Sequence, residues 1–86
     1  MRIYYTPNFK RQYKKLSEKI KDLAEAQEKI FVIDPFNPKL STHKLHGRFK
    51  DFWSFSIDAK HRIIFEFIKS DKVVFHSVGD HNIYSA

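Results

Sequence analysis

The sequence predicts an α+β fold in the order β-α-α-β-β-β, with two N-terminal helices packed on one face of an antiparallel sheet. Two patterns predict it. Between residues 9 and 31, apolar side chains recur at three- and four-residue steps, as on a helix with one wet face. From residue 52 onward they alternate with polar ones, as on half-buried strands. No internal repeat or linker interrupts the 86 residues, so we expect one domain spanning 1–86.

The first strand is predicted at 2–5, and Thr6-Pro7-Asn8 separates it from the helical part. Pro7 fits the first turn of a helix, and Asn8 can cap one. Both one long helix and a helix–turn–helix hairpin accommodate the apolar stripe that follows, and Ser17 can cap a second helix. We favour the hairpin, because a single long helix would give a small core little compactness. The stripe consists of Phe9, Tyr13, Leu16, Ile20, Leu23, Ala24, Ile30 and Phe31.

Two closely spaced prolines, Pro35 and Pro38, end the helical part. A basic connecting segment at 39–50 then leads to a three-stranded meander with polar turns at 58–60 and 70–71. The strands are predicted at 52–57, 61–68 and 72–78, and a short tail at 82–86.

The second strand of the meander places Ile63, Phe65 and Phe67 on one face, because successive side chains alternate. If those three face the helices, Arg62 projects from the open face of the sheet. His81 follows the glycine that ends the last strand, in a loop of the kind that often carries catalytic groups. Each residue alone is more often an ordinary surface group. The meander, however, brings the edge of the sheet, the strand that carries Arg62 and the loop that carries His81 near one another.

Composition narrows the function classes. Sixteen Lys and Arg against ten Asp and Glu give a formal charge of +6 and a pI near 9.7, which favours a phosphate-rich or acidic partner. The absence of cysteine excludes a disulfide scaffold, thiol catalysis and a cysteine-based zinc finger. No apolar run approaches the roughly 20 residues of a membrane span, and the N-terminus lacks a signal-peptide core. We therefore expect a cytoplasmic protein with no membrane partner.

Residues 43–50 of the connecting segment supply three fixed cations and two histidines just before the sheet. They are His43, Lys44, His46, Arg48 and Lys50. A metal site needs three or four convergent ligands. His43 and His46 have helical spacing, but the neighbouring Gly47 disfavours a helix there, so we expect no metal and no cofactor.

Several short motifs follow one another in a fixed order along nearly the whole chain. They are Phe9 with Lys14-Lys15-Leu16, Asp34-Pro35-Phe36, His43-Lys44-Leu45-His46-Gly47, Phe52-Trp53-Ser54, His61-Arg62-Ile63-Ile64-Phe65 and Gly79-Asp80-His81-Asn82-Ile83-Tyr84. In order, spacing, length and charge the chain resembles the RelE/ParE superfamily, the toxins of bacterial and archaeal type II toxin–antitoxin systems. The resemblance implies a RelE-like (microbial-RNase-like) domain.

Members of the RelE and YoeB kind enter the ribosomal A site and cut mRNA there without metal. Carried over to this chain, the resemblance makes Arg62 the group that stabilises charge on the scissile phosphate and His81 the general acid. Tyr84 matches the C-terminal tyrosine that orients or stacks on the substrate. These residue types suit cleavage through the RNA 2′-hydroxyl, which needs a base, a cation for the phosphorane and a proton for the leaving oxygen.

The chain departs from two branches of the superfamily. His43 stands near the position where YoeB-like members carry a glutamate general base, and the roles of His43 and His46 stay open. Phe55, Ser56 and Ile57 occupy the strand that is rich in histidine in the YafQ-like branch. Four residues are expected to bind RNA, in part by holding the phosphates that flank the cut: Lys44, His46, Arg48 and Lys50.

The main hypothesis is a toxin that acts as a ribosome-dependent, metal-independent mRNA endonuclease and is held inactive by an acidic, partly helical antitoxin. Its partners would be that antitoxin, the ribosome and mRNA. The alternative is a ParE-like, non-enzymatic toxin that poisons DNA gyrase with the same fold, for which Arg62 and His81 need no alignment for acid–base chemistry. A third option is a small basic RNA-binding domain without catalysis.

Overall fold

In the computed structural model, which describes residues 1–84, a side-chain oxygen caps the N-terminus of each of two helices. Helix α1 spans Pro7–Lys14 and helix α2 spans Glu18–Ile33. The Thr6 hydroxyl accepts a hydrogen bond from the Phe9 N–H at 3.0 Å, and Ser17 accepts one from the Ile20 N–H at 3.3 Å. The predicted hairpin is therefore confirmed, with Thr6 rather than Asn8 as the first cap. Neither helix is long and apolar enough to cross a membrane.

Five strands form one sheet in the spatial order β1-β5-β4-β3-β2. They are β1 (Arg2–Tyr5), β2 (His43–Lys44), β3 (Trp53–Ser56), β4 (Arg62–Lys69) and β5 (Lys72–Gly79). Strand β1 pairs with β5 in parallel, and the other neighbours are antiparallel. The predicted α+β class is confirmed. The structure adds strand β2, which is too short to show a period of two. It also pairs β1 with β5 in parallel, a direction that the sequence of β1 does not indicate.

An aromatic core lies between the helices and the sheet. Phe31 of α2 is fully buried at its centre, with its ring stacked on Phe55 at a centroid distance of 4.7 Å. The rings of Phe65 and Phe75 meet Phe31 edge-on at 4.9 and 5.5 Å. The buried cluster comprises Phe9, Ala24, Phe31, Leu40, Phe55, Ile57, Ile63, Phe65, Val73, Phe75 and Val78. This core fixes the strand ends on which the candidate site is built.

The second sheet face is less open than the alternation predicts. Ile63 and Phe65 enter the core as expected, but Ile64 on the other face is only 2% exposed. On the same sheet, the His76 ring stacks on Phe52 at 4.7 Å, and its Nε2 lies 3.0 Å from the Glu66 carboxylate. Side chains of the strands and of Phe52, just before β3, thus cover part of that face, and Arg62 at the start of β4 is half-buried.

The chain continues past β5 into a short 3-10 turn, His81–Tyr84. A second 3-10 turn, Gly47–Phe49, lies between β2 and β3. The predicted tail thus has regular structure up to residue 84, and its residues 85–86 lie outside the described part of the chain.

Candidate active site

Arg62 and His81 share a cleft at one end of the sheet. Strand register places Arg62 opposite Ser56 on one side and Gly79 on the other, and His81 comes two residues after Gly79. The cleft has a volume of about 410 Å³ and is lined by Ala59, Lys60, Arg62, Asp80 and His81. The antiparallel pairing of β4 with β5 therefore brings two of the predicted site residues together.

Two hydrogen bonds and a close contact with His43 hold the Arg62 side chain. Its Nε donates to the hydroxyl of Ser54 at 3.0 Å, and its Nη2 donates to the carbonyl of Ser41 at 2.9 Å. The same Nη2 lies 3.3 Å from Nδ1 of His43. Within residues 1–84 the Nη1 nitrogen donates no hydrogen bond to the protein. The guanidinium is thus oriented by one edge while its other donors stay available to a ligand.

Ser41 adopts an unusual backbone conformation to make this contact. It ends the Pro38–Leu40 3-10 helix in the left-handed region, with a φ of 49°. A residue with a Cβ pays roughly 1–2 kcal/mol for that conformation. The carbonyl of Ser41 accepts from Arg62 and lies 3.2 Å from Nδ1 of His43. The strained residue therefore serves as a shared anchor for two of the predicted site residues.

The two contacts of His43 Nδ1 exclude one another in a neutral ring. If Nδ1 carries the proton it donates to the Ser41 carbonyl, which leaves the Nε2 lone pair free. If Nε2 carries the proton, Nδ1 accepts from Arg62. Strand β2 pairs His43 with Ser54, the residue whose hydroxyl holds Arg62. The exposed His43 ring is thus placed beside Arg62 with two alternative proton arrangements.

Lys60 is a residue of the cleft that the sequence analysis missed. It lies in the turn between β3 and β4, where Asp58 Oδ1 accepts hydrogen bonds from the N–H groups of Lys60 at 2.8 Å and His61 at 2.7 Å. Nδ1 of His61 lies 3.0 Å from the same oxygen. Burial raises the pKa of the Asp58 carboxyl, but the hydrogen bonds from Lys60 and His61 outweigh it and hold the pKa below its ordinary value.

Asp58 therefore fixes the turn that presents Lys60 and Arg62 to the same cleft. The sequence predicts residues 58–60 only as a polar turn, and strand alternation does not indicate where a turn residue such as Lys60 points. Asp80 is a further cleft residue outside the predicted site. It lines the cleft and accepts a hydrogen bond from the Asn82 N–H at 2.9 Å, at the start of the His81–Tyr84 turn.

Gly79 allows the His81–Tyr84 turn to fold back on strand β5. A Cβ at this position would lie 2.8 Å from Cγ2 of Ile83, closer than real Cβ atoms approach other atoms. Because that atom belongs to a β-branched side chain, it has little freedom to move away. His81 is consequently exposed at the start of the turn, beside the cleft.

Tyr84 does not line the cleft, although the resemblance placed it in the site. Its carbonyl accepts a hydrogen bond from Nη2 of Arg48 at 3.2 Å, and its ring meets Phe49 edge-on at 6.2 Å. The four residues expected to bind RNA are all exposed, on and after the edge strand β2: Lys44, His46, Arg48 and Lys50. Within residues 1–84, no group of three His, Asp or Glu side chains is arranged to hold a metal ion.

A larger groove of about 700 Å³ lies elsewhere, along helices α1 and α2 and strand β1. Tyr5, Phe9 and Tyr13 line it together with charged residues of both helices. None of the predicted site residues lines this groove. The cleft at Arg62 therefore remains the candidate active site.

A family model described as the bacterial toxin of a type II toxin–antitoxin system, YafQ, matches residues 1–84. The chain belongs to this toxin family. The predicted superfamily is thereby confirmed, and the match falls on the YafQ branch even though Phe55, Ser56 and Ile57 occupy the strand that is histidine-rich in that branch. Comparison with curated protein sequences finds no significant match.

Solved toxins share the fold at low sequence identity. The YoeB/ParE toxin from Agrobacterium tumefaciens superposes with a TM-score of 0.80 at 18% identity, over 94% of this chain and 99% of that one. YafQ from E. coli strain BL21(DE3) gives a TM-score of 0.77 at 15% identity over the whole of both chains. The E. coli DinJ–YafQ toxin–antitoxin complex gives 0.74 at 16%, over 98% and 96%. At these identities the likeness establishes the fold, two helices on a mostly antiparallel sheet.

Proposed function

We propose that this YafQ-family toxin cuts mRNA on the ribosome, in the cleft lined by Arg62 and His81. One observation carries the proposal: a guanidinium held by Ser54 and Ser41, with Nη1 left free, borders the same cleft as an exposed imidazole. A fixed cation beside a proton donor is what cleavage of a phosphodiester requires. The cytoplasm, where ribosomes translate, is then the site of action.

The reaction proceeds through the RNA's own 2′-hydroxyl. A base removes the 2′-hydroxyl proton, the 2′-oxygen forms a bond to the adjacent phosphorus, and the bond from phosphorus to the 5′-oxygen breaks. The departing oxygen takes a proton from the general acid. The products are a 2′,3′-cyclic phosphate on one fragment and a 5′-hydroxyl on the other, and atoms and charge balance without a further reactant.

Arg62, His81 and His43 divide the roles in this reaction. Arg62 donates to the phosphorane oxygens from a position that its hydrogen bonds fix in advance, and His81 protonates the leaving 5′-oxygen. His43 is the base in the form that donates Nδ1–H to Ser41, because Nε2 is then free to accept the 2′-proton. Lys60, on the same cleft wall, adds a second positive charge.

The exposed segment after β2 binds the substrate on either side of the cut. Lys44, His46, Arg48 and Lys50 contact flanking phosphates or ribosomal RNA, a salt-sensitive and sequence-blind contribution. Tyr84 supplies an aromatic ring at the edge of the site, on which a base can stack. Its present contact with Phe49 keeps that ring outside the cleft.

A cognate antitoxin holds the toxin inactive in the cell. The family is one of toxin–antitoxin systems, and the related E. coli YafQ is solved with DinJ as a toxin–antitoxin complex. The net charge of +6 favours an acidic partner, so we propose an acidic, partly helical segment that covers the basic face and reaches the turn at His81. Copurification of a neighbour-encoded acidic protein with the tagged toxin tests this. Isolation of the toxin alone would contradict it.

Induction in a bacterial host tests the proposed activity. Expression of the wild-type chain should arrest translation, and primer extension should reveal cuts within translated stretches of mRNA. Arg62→Ala and His81→Ala should abolish both effects at equal expression. Growth arrest with intact messages, undiminished in both variants, would instead support the gyrase-poisoning alternative.

A further inference from the structure

We propose that Arg48 and Phe49 are positioning residues, which hold the His81–Tyr84 turn in place and thereby set the location of His81. The inference rests on the proposed function, in which His81 donates a proton. It assigns to Arg48 a positioning task in addition to the phosphate contact proposed above, and it brings in Phe49, to which no role has been given.

Two contacts join the Gly47–Phe49 turn to the His81–Tyr84 turn, and a third lies within the Gly47–Phe49 turn. The Arg48 Nη2 donates to the Tyr84 carbonyl at 3.2 Å, across a sequence separation of 36 residues. The Arg48 guanidinium carbon lies 5.3 Å from the centroid of the Phe49 ring. The Phe49 ring in turn meets the Tyr84 ring edge-on at 6.2 Å and 84°. The Arg48 and Phe49 side chains thus contact each other, and each also contacts Tyr84.

Few other hydrogen bonds hold the His81–Tyr84 turn, in which Ile83 and Tyr84 are half-buried. Its other hydrogen bonds are local: the Asn82 N–H donates to the Asp80 carboxylate and the Ile83 N–H to the Asp80 carbonyl. His81 and Asn82 are exposed. Among residues 1–84, the bond from Arg48 is the one hydrogen bond that ties this turn to a distant part of the chain. The turn's C-terminal end is therefore fixed by Arg48 and its N-terminal end by Gly79.

His81 lies between these two attachments. Release of Tyr84 would leave the turn held at Gly79 alone, and the imidazole would sample positions away from the cleft. General acid catalysis requires the donor within hydrogen-bond reach of the leaving oxygen, and a displacement of about 1 Å can cost roughly 100-fold in rate. The consequence is a slower chemical step, with substrate binding left largely intact.

A charge-neutral substitution separates this role from a phosphate contact. Phe49 bears no charge, so Phe49→Leu cannot remove an ion pair with RNA, yet it removes the ring on which both Arg48 and Tyr84 pack. Phe49→Tyr keeps a ring of the same shape. Lys50→Gln removes a neighbouring exposed cation whose side chain makes no hydrogen bond or ion pair within the described residues. It serves as the contrast.

Two measurements on the full chain test the proposal. The first is the NMR spectrum of the His81 imidazole in the free toxin, which needs neither RNA nor ribosome. Arg48→Gln and Phe49→Leu should both shift and broaden the His81 ring signals, whereas Phe49→Tyr and Lys50→Gln should leave them as in the wild type. Unmoved His81 signals in Arg48→Gln would overturn the inference. That variant alters an exposed side chain, so the test stands even if Phe49→Leu unfolds.

The second measurement is single-turnover mRNA cleavage on purified ribosome complexes at several salt concentrations. Arg48→Gln and Phe49→Leu should lower the rate at saturating toxin by roughly 10- to 100-fold, and Phe49→Leu should keep the wild-type salt dependence. Lys50→Gln should instead raise the half-saturating concentration and flatten the salt dependence. An Arg48→Gln protein that behaves like Lys50→Gln would show that Arg48 is a phosphate contact only and would overturn the inference. If the wild type itself cuts nothing, the proposed function fails, and the NMR measurement still decides whether Arg48 places His81.

Discussion

Nε of Arg62 donates a hydrogen bond to the hydroxyl of Ser54 across the β3–β4 pair at 3.0 Å. Ser54 is completely buried, whereas Arg62 reaches the cleft. The bond thus gives a buried hydroxyl its partner and fixes the plane of a guanidinium that serves the surface. Nε and Nη2 of that guanidinium bond to the protein, whereas Nη1 makes no hydrogen bond within residues 1–84 and is available to a phosphate.

Ser54→Ala should therefore slow cleavage without removing any charge from the site. Loss of the Nε contact leaves Arg62 held by Ser41 and His43 alone, so its plane is less well defined. We expect about a 10-fold lower saturating rate and a small change in thermal stability. The measurement compares single-turnover cleavage rates of Ser54→Ala and of Ser70→Ala, a control substitution in the distant β4–β5 turn. Equal rates for the two variants would show that the Ser54 bond does not matter to the reaction.

Substitutions of Arg62 itself should separate charge from shape. Arg62→Ala should lose roughly 100- to 1,000-fold in cleavage rate, the usual cost of removing a preorganised donor to a developing oxyanion. Arg62→Lys keeps the charge but cannot bond Ser54, Ser41 and a phosphate together, so it should recover less than about 10-fold of that loss. Circular dichroism of both proteins checks the fold. Full activity of Arg62→Lys would mean that charge alone suffices.

The two histidines should control opposite limbs of the pH–rate profile. A general acid must be protonated and a general base deprotonated, so the profile of the wild type should be bell-shaped. His81→Gln should abolish the decline at high pH, and His43→Gln should abolish the decline at low pH. If His43→Gln keeps both limbs, the base is another group, and His46→Gln is the next variant to measure.

How much of this arrangement the sequence predicts depends on the range of the interactions. The helical stripe, the core face of β4 and the approach of Arg62 to His81 follow from periodicity and from strands that are neighbours in sequence. The hairpin is favoured over one long helix because a small core needs compactness. Strand β2 is not predicted because two residues are too few to show a periodicity. The contact between Arg48 and Tyr84 is not predicted because no local pattern encodes a bond between two turns 36 residues apart. Lys60 is not predicted as a cleft residue because it lies in the turn between β3 and β4, where no alternation indicates the direction of a side chain.

Asp58 should stabilise the protein in a pH-dependent manner. Its pKa is held below the ordinary value in the folded chain by hydrogen bonds from Lys60 and His61 that outweigh the opposing effect of burial. Its stabilising contribution is therefore fully present above the unfolded pKa of about 3.9 and is lost as the pH falls through the folded pKa. Asp58→Ala should lower the unfolding free energy at pH 7 by about 1 kcal/mol.

Urea unfolding at pH 7 and near pH 3 measures this effect. The difference between wild type and Asp58→Ala should shrink on acidification. Asp58→Asn, which keeps an accepting oxygen but not the charge, should fall between the two proteins at pH 7. A difference that is constant with pH would assign the effect to turn geometry alone.

Tyr5 joins β1 to α2 through a hydrogen bond from its hydroxyl to the Glu28 carboxylate. Burial, followed by the bond and the charge of Glu28, raises the pKa of the Tyr5 hydroxyl above its ordinary value. Since the folded chain disfavours the phenolate, stability should decline as the pH rises past the unfolded pKa of about 10. Tyr5→Phe should cost about 1 kcal/mol at pH 7 and weaken the alkaline decline.

Burial, together with nearby carboxylates, also raises the pKa of Tyr13, so some alkaline decline should remain in Tyr5→Phe. Thermal unfolding of the wild type and of Tyr5→Phe between pH 7 and pH 11 measures both effects. An alkaline decline of the same size in both proteins would show that Tyr5 does not contribute to it.

End analysis of mRNA cut on purified translating ribosomes tests the central claim most directly. Wild type and Arg62→Ala are compared at equal concentration, and the ends of every fragment are identified. We predict cuts within translated codons that leave a 2′,3′-cyclic phosphate and a 5′-hydroxyl with the wild type, and intact message with Arg62→Ala. Uncut mRNA with a wild-type toxin that arrests translation, or equal cutting by both proteins, would contradict the assignment of this cleft as the active site.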